Sequence, residues 1–163
     1  MRLSSSLKRV AKFASVFSGG SLFHLVYLFC KYIAIVFSLK ICSKSQKINL
    51  KYGNVDFSIY ISDRMDLVAV EESFVLREYD FPYNDDIKII VDLGANIGDT
   101  SIYYSIRYPK AKIFSVEPNP EIYKRLCKNT HYFKNIVPLN FAISDFTGKQ
   151  FFYLYKSHLG SSL

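Results

Sequence analysis

The densest apolar stretch of the chain, residues 22–39, is long enough to cross a bilayer if it is helical. Its polar residues are spaced regularly: His24, Lys31 and Ser38 recur every seven positions and fall on one narrow stripe of a helix. Lys31 sits at the centre, where insertion of a charge costs about 3 kcal/mol. The stretch therefore has three readings, a span, an interfacial helix and a helix packed on the domain. Downstream the period changes to two. Ile48, Leu50 and Tyr52 alternate, Gly53-Asn54 supplies a two-residue turn, and Phe57, Ile59 and Ile61 alternate again, which predicts a hairpin. Gly53 and Asn54 are residue types that tolerate the positive φ of such turns. A helix is expected over about 63–78, with Leu67, Val70 and Phe74 on one face, ending near Pro82.

From residue 88 the pattern is strand, helix, strand, helix, strand. Lys88–Leu93 has the continuous apolar character of a strand buried on both faces. Thr100–Arg107 reads as a short helix closed by Pro109, and Lys112–Val116 as the second strand. The next helix has a complete start signal, with Asn119 as N-cap, Pro120 at its first position and Glu121 in its first turn, and is expected to run to about Asn129. Ile136–Phe141 is the third strand. Pro138 within it cannot donate to a central ladder, so this strand belongs at a sheet edge, where the order 3-2-1 of a doubly wound sheet puts it. Residues 149–155 suggest one more strand after the Thr147-Gly148 turn.

The fold class that follows is α/β, a Rossmann-like doubly wound sheet preceded by an N-terminal apolar helix. The chain stops before anything that could be the other half of such a sheet, so the expected fold is truncated after its first half, with strand 1 as an exposed apolar edge. Two parts are expected: a basic, apolar segment over 1–46 and the α/β domain over 47–163.

Charge supports this division. Of 21 basic residues, nine precede Asp56, and no acidic residue does; the remainder holds twelve basic and fourteen acidic residues. The formal charge of +7 thus belongs to the N-terminal segment. No nucleic-acid-binding motif accompanies it, and nucleic acid is not expected as a partner. An acid-free, Lys-rich, apolar segment fits an anionic membrane surface better. Basic residues are equal on both sides of 22–39, which gives a span no orientation. Three cysteines, Cys30, Cys42 and Cys127, without metal-ligand spacing read as reduced thiols in a cytoplasmic setting, and no metal site is indicated.

The chemistry concentrates at the end of the first strand. A nucleoside cofactor needs a tight strand-to-helix turn whose backbone comes close to the ligand. Asp92-x-Gly94-x-x-x-Gly98 meets that need, and Asn96 takes the middle position as the next best residue for a left-handed conformation. A carboxylate at the end of strand 2 should then accept hydrogen bonds from the ribose hydroxyls. Glu117 follows Phe114-Ser115-Val116 at about the expected separation of roughly 20 residues. Asp99 at the helix start would repel a pyrophosphate and tolerate an ammonium group, which favours S-adenosylmethionine over a nicotinamide dinucleotide. An NAD-dependent oxidoreductase is the rival of similar topology.

Val-Asp-Leu-Gly-Ala-Asn-Ile-Gly-Asp-Thr-Ser (91–101), Phe-Ser-Val-Glu-Pro-Asn-Pro-Glu (114–121) and Asn-Phe-Ala-Ile-Ser-Asp (140–145) resemble the FkbM family of methyltransferases. Asp66, Glu72, Phe74 and Tyr79-Asp80 resemble that family's lead-in helix, and residues 159–163 the loop before its next core strand. The resemblance covers about 47–163. It implies S-adenosylmethionine-dependent O-methylation of a sugar, glycan or small metabolite. It assigns Asp92, Gly94, Asn96 and Gly98 to the methionine and ribose side of the cofactor, Glu117 to the ribose, and Asn119, Ala142 and Ser144 to the adenine. The stretch that forms the family's substrate face has no counterpart here, so an inactive or split fragment that at most binds cofactor is the alternative. No general base is assigned; His131 and His158 qualify by residue type alone.

Overall fold

The computed structural model describes residues 5–38, 45–80, 86–145, 147–148 and 151. Residues 81–82, the expected strand at 149–155 except for Phe151, His158 and the stretch 159–163 lie outside these. Contacts divide the chain into two compact units, Met1–Asp80 and Phe81–Leu163.

The first unit opens with two helices, α1 (Ser5–Phe17) and α2 (Leu22–Ser38). The hairpin follows as β1 (Gln46–Tyr52) and β2 (Val55–Ile61), antiparallel with Tyr52 opposite Val55. Only Gly53 takes a positive φ in its turn, at 58°, and Asn54 does not. Helix α1 is amphipathic: Val10, Phe13, Ala14 and Phe17 recur at helical spacing and are buried. They meet Ile48, Leu50, Phe57 and Ile59 of the hairpin in one core. Phe17, Phe57 and Phe74 form its aromatic centre, with ring centroids 5.3 to 6.5 Å apart. Of α2, Leu28 and Tyr32 join the core. Among the described residues no helix is long and apolar enough to cross a membrane.

Helix α3 (Arg64–Glu71) is capped by Asp63, whose side chain accepts from the N–H groups of Met65 and Asp66. The expected single helix to residue 78 is shorter. It passes into a π-helical turn, Glu72–Leu76, and stops where Arg77 enters the left-handed region with φ 54°. The Glu78 N–H then bonds back to the Glu72 carbonyl, closing the end. Buried Glu71 ties the helices together, accepting from Tyr32 Oη at 2.8 Å and from the Arg9 guanidinium. Burial, and the bond to Glu71, push the Tyr32 phenol up to about 12.

The second unit is a parallel sheet, β3 (Ile89–Leu93), β4 (Lys112–Val116) and β5 (Ile136–Leu139), in the order β3-β4-β5. Helices α4 (Asp99–Arg107) and α5 (Pro120–Thr130) connect the strands, which makes the unit α/β and Rossmann-like. Asp99 in the first turn and Arg107 in the last suit the dipole of α4. Asn119 caps α5, with Pro120 at its first position. Asn135 fixes the start of β5, accepting from Ser105 of α4 and donating to the Ala111 carbonyl.

Pro138 lies on the edge strand, as its missing N–H requires. Ile113 and Glu117 donate to the carbonyls of Asn135 and Leu139, so alternation turns Pro138 away from β4. The third strand ends earlier than expected, at Leu139, because the Asn140 side chain turns back to the carbonyls of Glu117 and Pro118. Strand β3 departs from the doubly buried expectation. Ile89, Val91 and Leu93 are 62, 57 and 58% exposed, because they point to the face of the sheet away from α4. Ile90 and Asp92 point to the opposite face, toward α4.

Candidate functional site

The carboxyl ends of β3 and β4 carry the loop and the carboxylate that the sequence singles out. Gly94 and Ala95 both donate to the Val116 carbonyl at 2.9 Å, so the loop is stitched to the end of β4 as it leaves β3. The chain then alternates through left-handed positions: Gly94 at φ 77°, Asn96 at 46° and Gly98 at 91°. Such torsions suit glycine and, next, asparagine.

The two glycines serve different purposes. A Cβ at Gly98 would stand 2.8 Å from Leu126 Cδ1 and 2.8 Å from Thr130 Cγ2, so this glycine lets the loop close on α5. Asn129 of the same helix donates to the Ile97 carbonyl at 2.9 Å and fixes that approach. A Cβ at Gly94 would meet nothing within 4 Å. The open space over Gly94 is where a ligand could approach the backbone.

Glu117, buried at the end of β4, faces this loop. One carboxylate oxygen accepts the Asn96 N–H at 3.1 Å, and the other accepts the Asn119 N–H at 2.9 Å. It thus joins the glycine loop to the turn that starts α5. A carboxylate has about four acceptor positions, and these two bonds leave capacity for further donors. Burial pushes its pKa up; the N–H groups of Asn119 and Asn96 and the charge of Arg125 work against that.

Asp92 is held from below. Ser101 of α4 donates to it at 2.5 Å, and Ser101 and Ser115 share a hydrogen bond of 2.6 Å. Burial raises the Asp92 pKa first; the Ser101 bond lowers it, and the charge of Glu117 raises it. Asp99 is buried at the start of α4, within hydrogen-bond reach of the Thr100 hydroxyl. Asp92 and Glu117 thus act on one another at the ends of β3 and β4, and Asp99 stands in the first turn of α4. A nucleoside bearing a cation would suit such a site: Glu117 has acceptor capacity left for a diol, Asp92 and Asp99 would offer negative charge, and the space at Gly94 would leave room.

Asp92, Gly94, Asn96, Gly98, Glu117 and Asn119 are therefore brought together. Asn119 has a structural duty as well, since its side chain accepts from Glu121 and Ile122 to cap α5. Ala142 is half-buried, and Ser144 is exposed and bonds to the neighbouring Asp145 carboxylate, so neither is drawn into this network. His131 is exposed and packs on Tyr132. Sequence reasoning missed Ser101, Ser115, Asn129 and Asn140. The one visible sign was a serine between Phe114 and Val116 in a buried strand. Among the described residues no His, Cys, Asp and Glu group could hold a metal ion.

No protein-family model matches the chain. Among curated proteins, the methyltransferase sdnD of Sordaria araneosa is 38% identical over 77 residues, covering 42% of this chain and 30% of that protein. Methyltransferase 1 of Beauveria bassiana is 35% identical over 78 residues, covering 45% and 31%. The chain is homologous to methyltransferases over that stretch, and it spans about a third of the length of these relatives. Solved structures with a similar arrangement include M. jannaschii TYW2 in complex with AdoMet, at TM-score 0.44 and 24% identity, covering 62% of this chain and 46% of that one. P. horikoshii TYW2 in complex with MeSAdo has TM-score 0.44 and 18% identity, covering 74% and 49%. The expectation that nucleic acid is excluded as a partner is corrected by these neighbours, because TYW2 proteins act on tRNA. Lack of a recognisable nucleic-acid motif does not restrict what a methyl acceptor can be.

Proposed function

We propose that residues 47–163 carry the S-adenosylmethionine site of an FkbM-like O-methyltransferase whose acceptor is a hydroxyl of a sugar, glycan or small metabolite. The observation that supports this most is the pairing of the Glu117 carboxylate with the Asn96 N–H of the Gly94–Gly98 loop. Homology to methyltransferases over about 77 residues supports the reaction class. The bound cofactor would supply a methyl group already activated on a sulfonium.

The chain's own residues would then bind and orient. Glu117 would take the ribose hydroxyls with its remaining lone pairs, and Asp92 and Asp99 would face the amino-acid end. Gly94 would let the backbone approach, and Asn119, Ala142 and Ser144 would border the adenine. Asp99 at the start of α4 disfavours the pyrophosphate of a dinucleotide. A cytoplasmic setting belongs to the same proposal, in keeping with the free thiols of Cys30 and Cys127.

Calorimetric titration of the chain with S-adenosylhomocysteine, and with NAD as control, tests it. Binding of the former that Glu117→Gln weakens at least tenfold is the expected result. A folded sample that binds neither, or NAD alone, would overturn the assignment.

A further inference from the structure

We infer that the outer face of the α1–α2 pair is a docking surface for an anionic phospholipid bilayer, used with both helices folded on their own unit. The inner faces are already committed. Helix α1 puts Val10, Phe13, Ala14 and Phe17 into the core, and α2 contributes Leu28 and Tyr32. A helix whose apolar face is buried in protein cannot also lie in lipid with that face, so an interfacial role falls to what points outward.

That outward surface has both parts of an interfacial site. On α1, Lys8 and Lys12 are exposed one turn apart. On α2, Phe23 is 91% exposed and Val26 52%. Tyr27 follows at the spacing that keeps it on the same face, and the Lys31 ammonium lies 6.0 Å from the centre of its ring. A phenylalanine exposed to that extent, one turn from exposed Val26 on a helix pair that also exposes Lys8 and Lys12, matches the amphipathic surface that seats in lipid headgroups.

Charge identifies the occupant. Neither helix contains an acidic residue, and the first in the chain is Asp56 of the hairpin. The surface is therefore cationic without internal compensation, and a bilayer of anionic lipid is its complement. A nucleic acid is less well matched. Arginine is the residue suited to paired phosphate recognition, and Arg9, the arginine of α1, is spent on the buried Glu71. The aliphatic Val26 also has no use on a phosphate backbone.

Flotation of the full chain with vesicles tests the inference. The protein should float with vesicles of phosphatidylcholine mixed with phosphatidylglycerol, stay at the bottom with phosphatidylcholine alone, and be released by molar salt. Lys8→Gln and Lys12→Gln should each weaken vesicle binding about fivefold. Phe23→Ser should weaken it further at low salt, and an unchanged circular-dichroism melt would show that these exposed substitutions leave the fold intact. Equal recovery with neutral vesicles would overturn the inference, as would no flotation at all. So would a Phe23→Ser variant that binds vesicles as well as the parent. Retention of the protein on duplex RNA, at salt that abolishes vesicle binding, would assign the surface to nucleic acid instead.

Discussion

Glu117 and Asn96, 21 residues apart in sequence, are joined by a hydrogen bond from the Asn96 N–H to the Glu117 Oε2 at 3.1 Å. The bond makes the carboxylate a structural part of the loop it is proposed to serve. Glu117→Gln keeps the shape but sets an amide NH2 against one of two backbone N–H groups. A buried backbone N–H left facing another donor costs about 1–3 kcal/mol. Urea denaturation should show a loss of that size, together with weaker binding of S-adenosylhomocysteine. Glu117→Asp, one methylene shorter, should lose binding while giving back part of the stability.

The two buried carboxylates predict a pH dependence. Burial holds both Asp92 and Glu117 above their ordinary values. An acid whose pKa is raised on folding binds its proton more tightly in the native state. Its contribution to stability is complete below the unfolded pKa and is lost as pH rises through the native one. Stability should therefore fall as pH climbs from about 4, the ordinary carboxylate range, and level off once both groups are ionised. Asp92→Asn should flatten that slope in denaturation curves measured across pH. The ammonium group of S-adenosylhomocysteine favours the ionised form, so its affinity should rise over the same interval.

Substitution of the two loop glycines should separate packing from binding. Gly98→Ala combines a φ of 91° with contacts of 2.8 Å to Leu126 and Thr130. Left-handed strain of about 1–2 kcal/mol and overpacking of about 1–3 kcal/mol should add to a marked loss in melting temperature. Gly94→Ala bears strain alone, since a Cβ there meets nothing within 4 Å. Its stability loss should be the smaller of the two. Binding titration should reverse the ranking per unit of stability lost, because the new methyl group enters the proposed ligand space.

What the sequence made legible were features whose cause is local. The Asn119-Pro120-Glu121 start of α5, the Gly53 turn and the edge position of Pro138 each follow from the torsions or donors of one or two residues. The Gly94–Gly98 loop and Glu117 could be read for the same reason, as demands on backbone geometry. The Ser101–Ser115–Asp92 chain could not, because the register of β3 on β4, with Asp92 opposite Ser115, creates it. The π-helical end of α3 depends on where Glu78 finds an acceptor, six residues back. Strand β3 shows the limit most directly. Continuous apolarity reports what a strand would bury, while its exposure is decided by what covers each of its two faces.

That exposure leads to the last prediction. The Lys112 N–H bonds to the Lys88 carbonyl, so Lys88, Ile90 and Asp92 turn their main-chain groups toward β4. Ile89, Val91 and Leu93 consequently present theirs to the open edge, along with side chains that are more than half exposed. Ile89 and Val91 also line a cleft of about 350 Å³, together with Ile87, Ile90, Tyr104 and Tyr108. No charge guards Ile89 to Val91, and an uncharged apolar edge of this kind templates pairing with another strand. Burying a half-exposed Ile, Val or Leu gains about 1 kcal/mol each, and the main-chain bonds of a new strand pair add to it, so self-association should be sought from micromolar concentration upward. The chain alone should therefore elute as oligomers or aggregate. Val91→Lys, at the middle of the edge strand with its side chain on the exposed face, should shift it toward monomer on sizing without changing its circular-dichroism spectrum. A parent chain that elutes as a sharp monomer across that concentration range would remove the basis for this reading of β3.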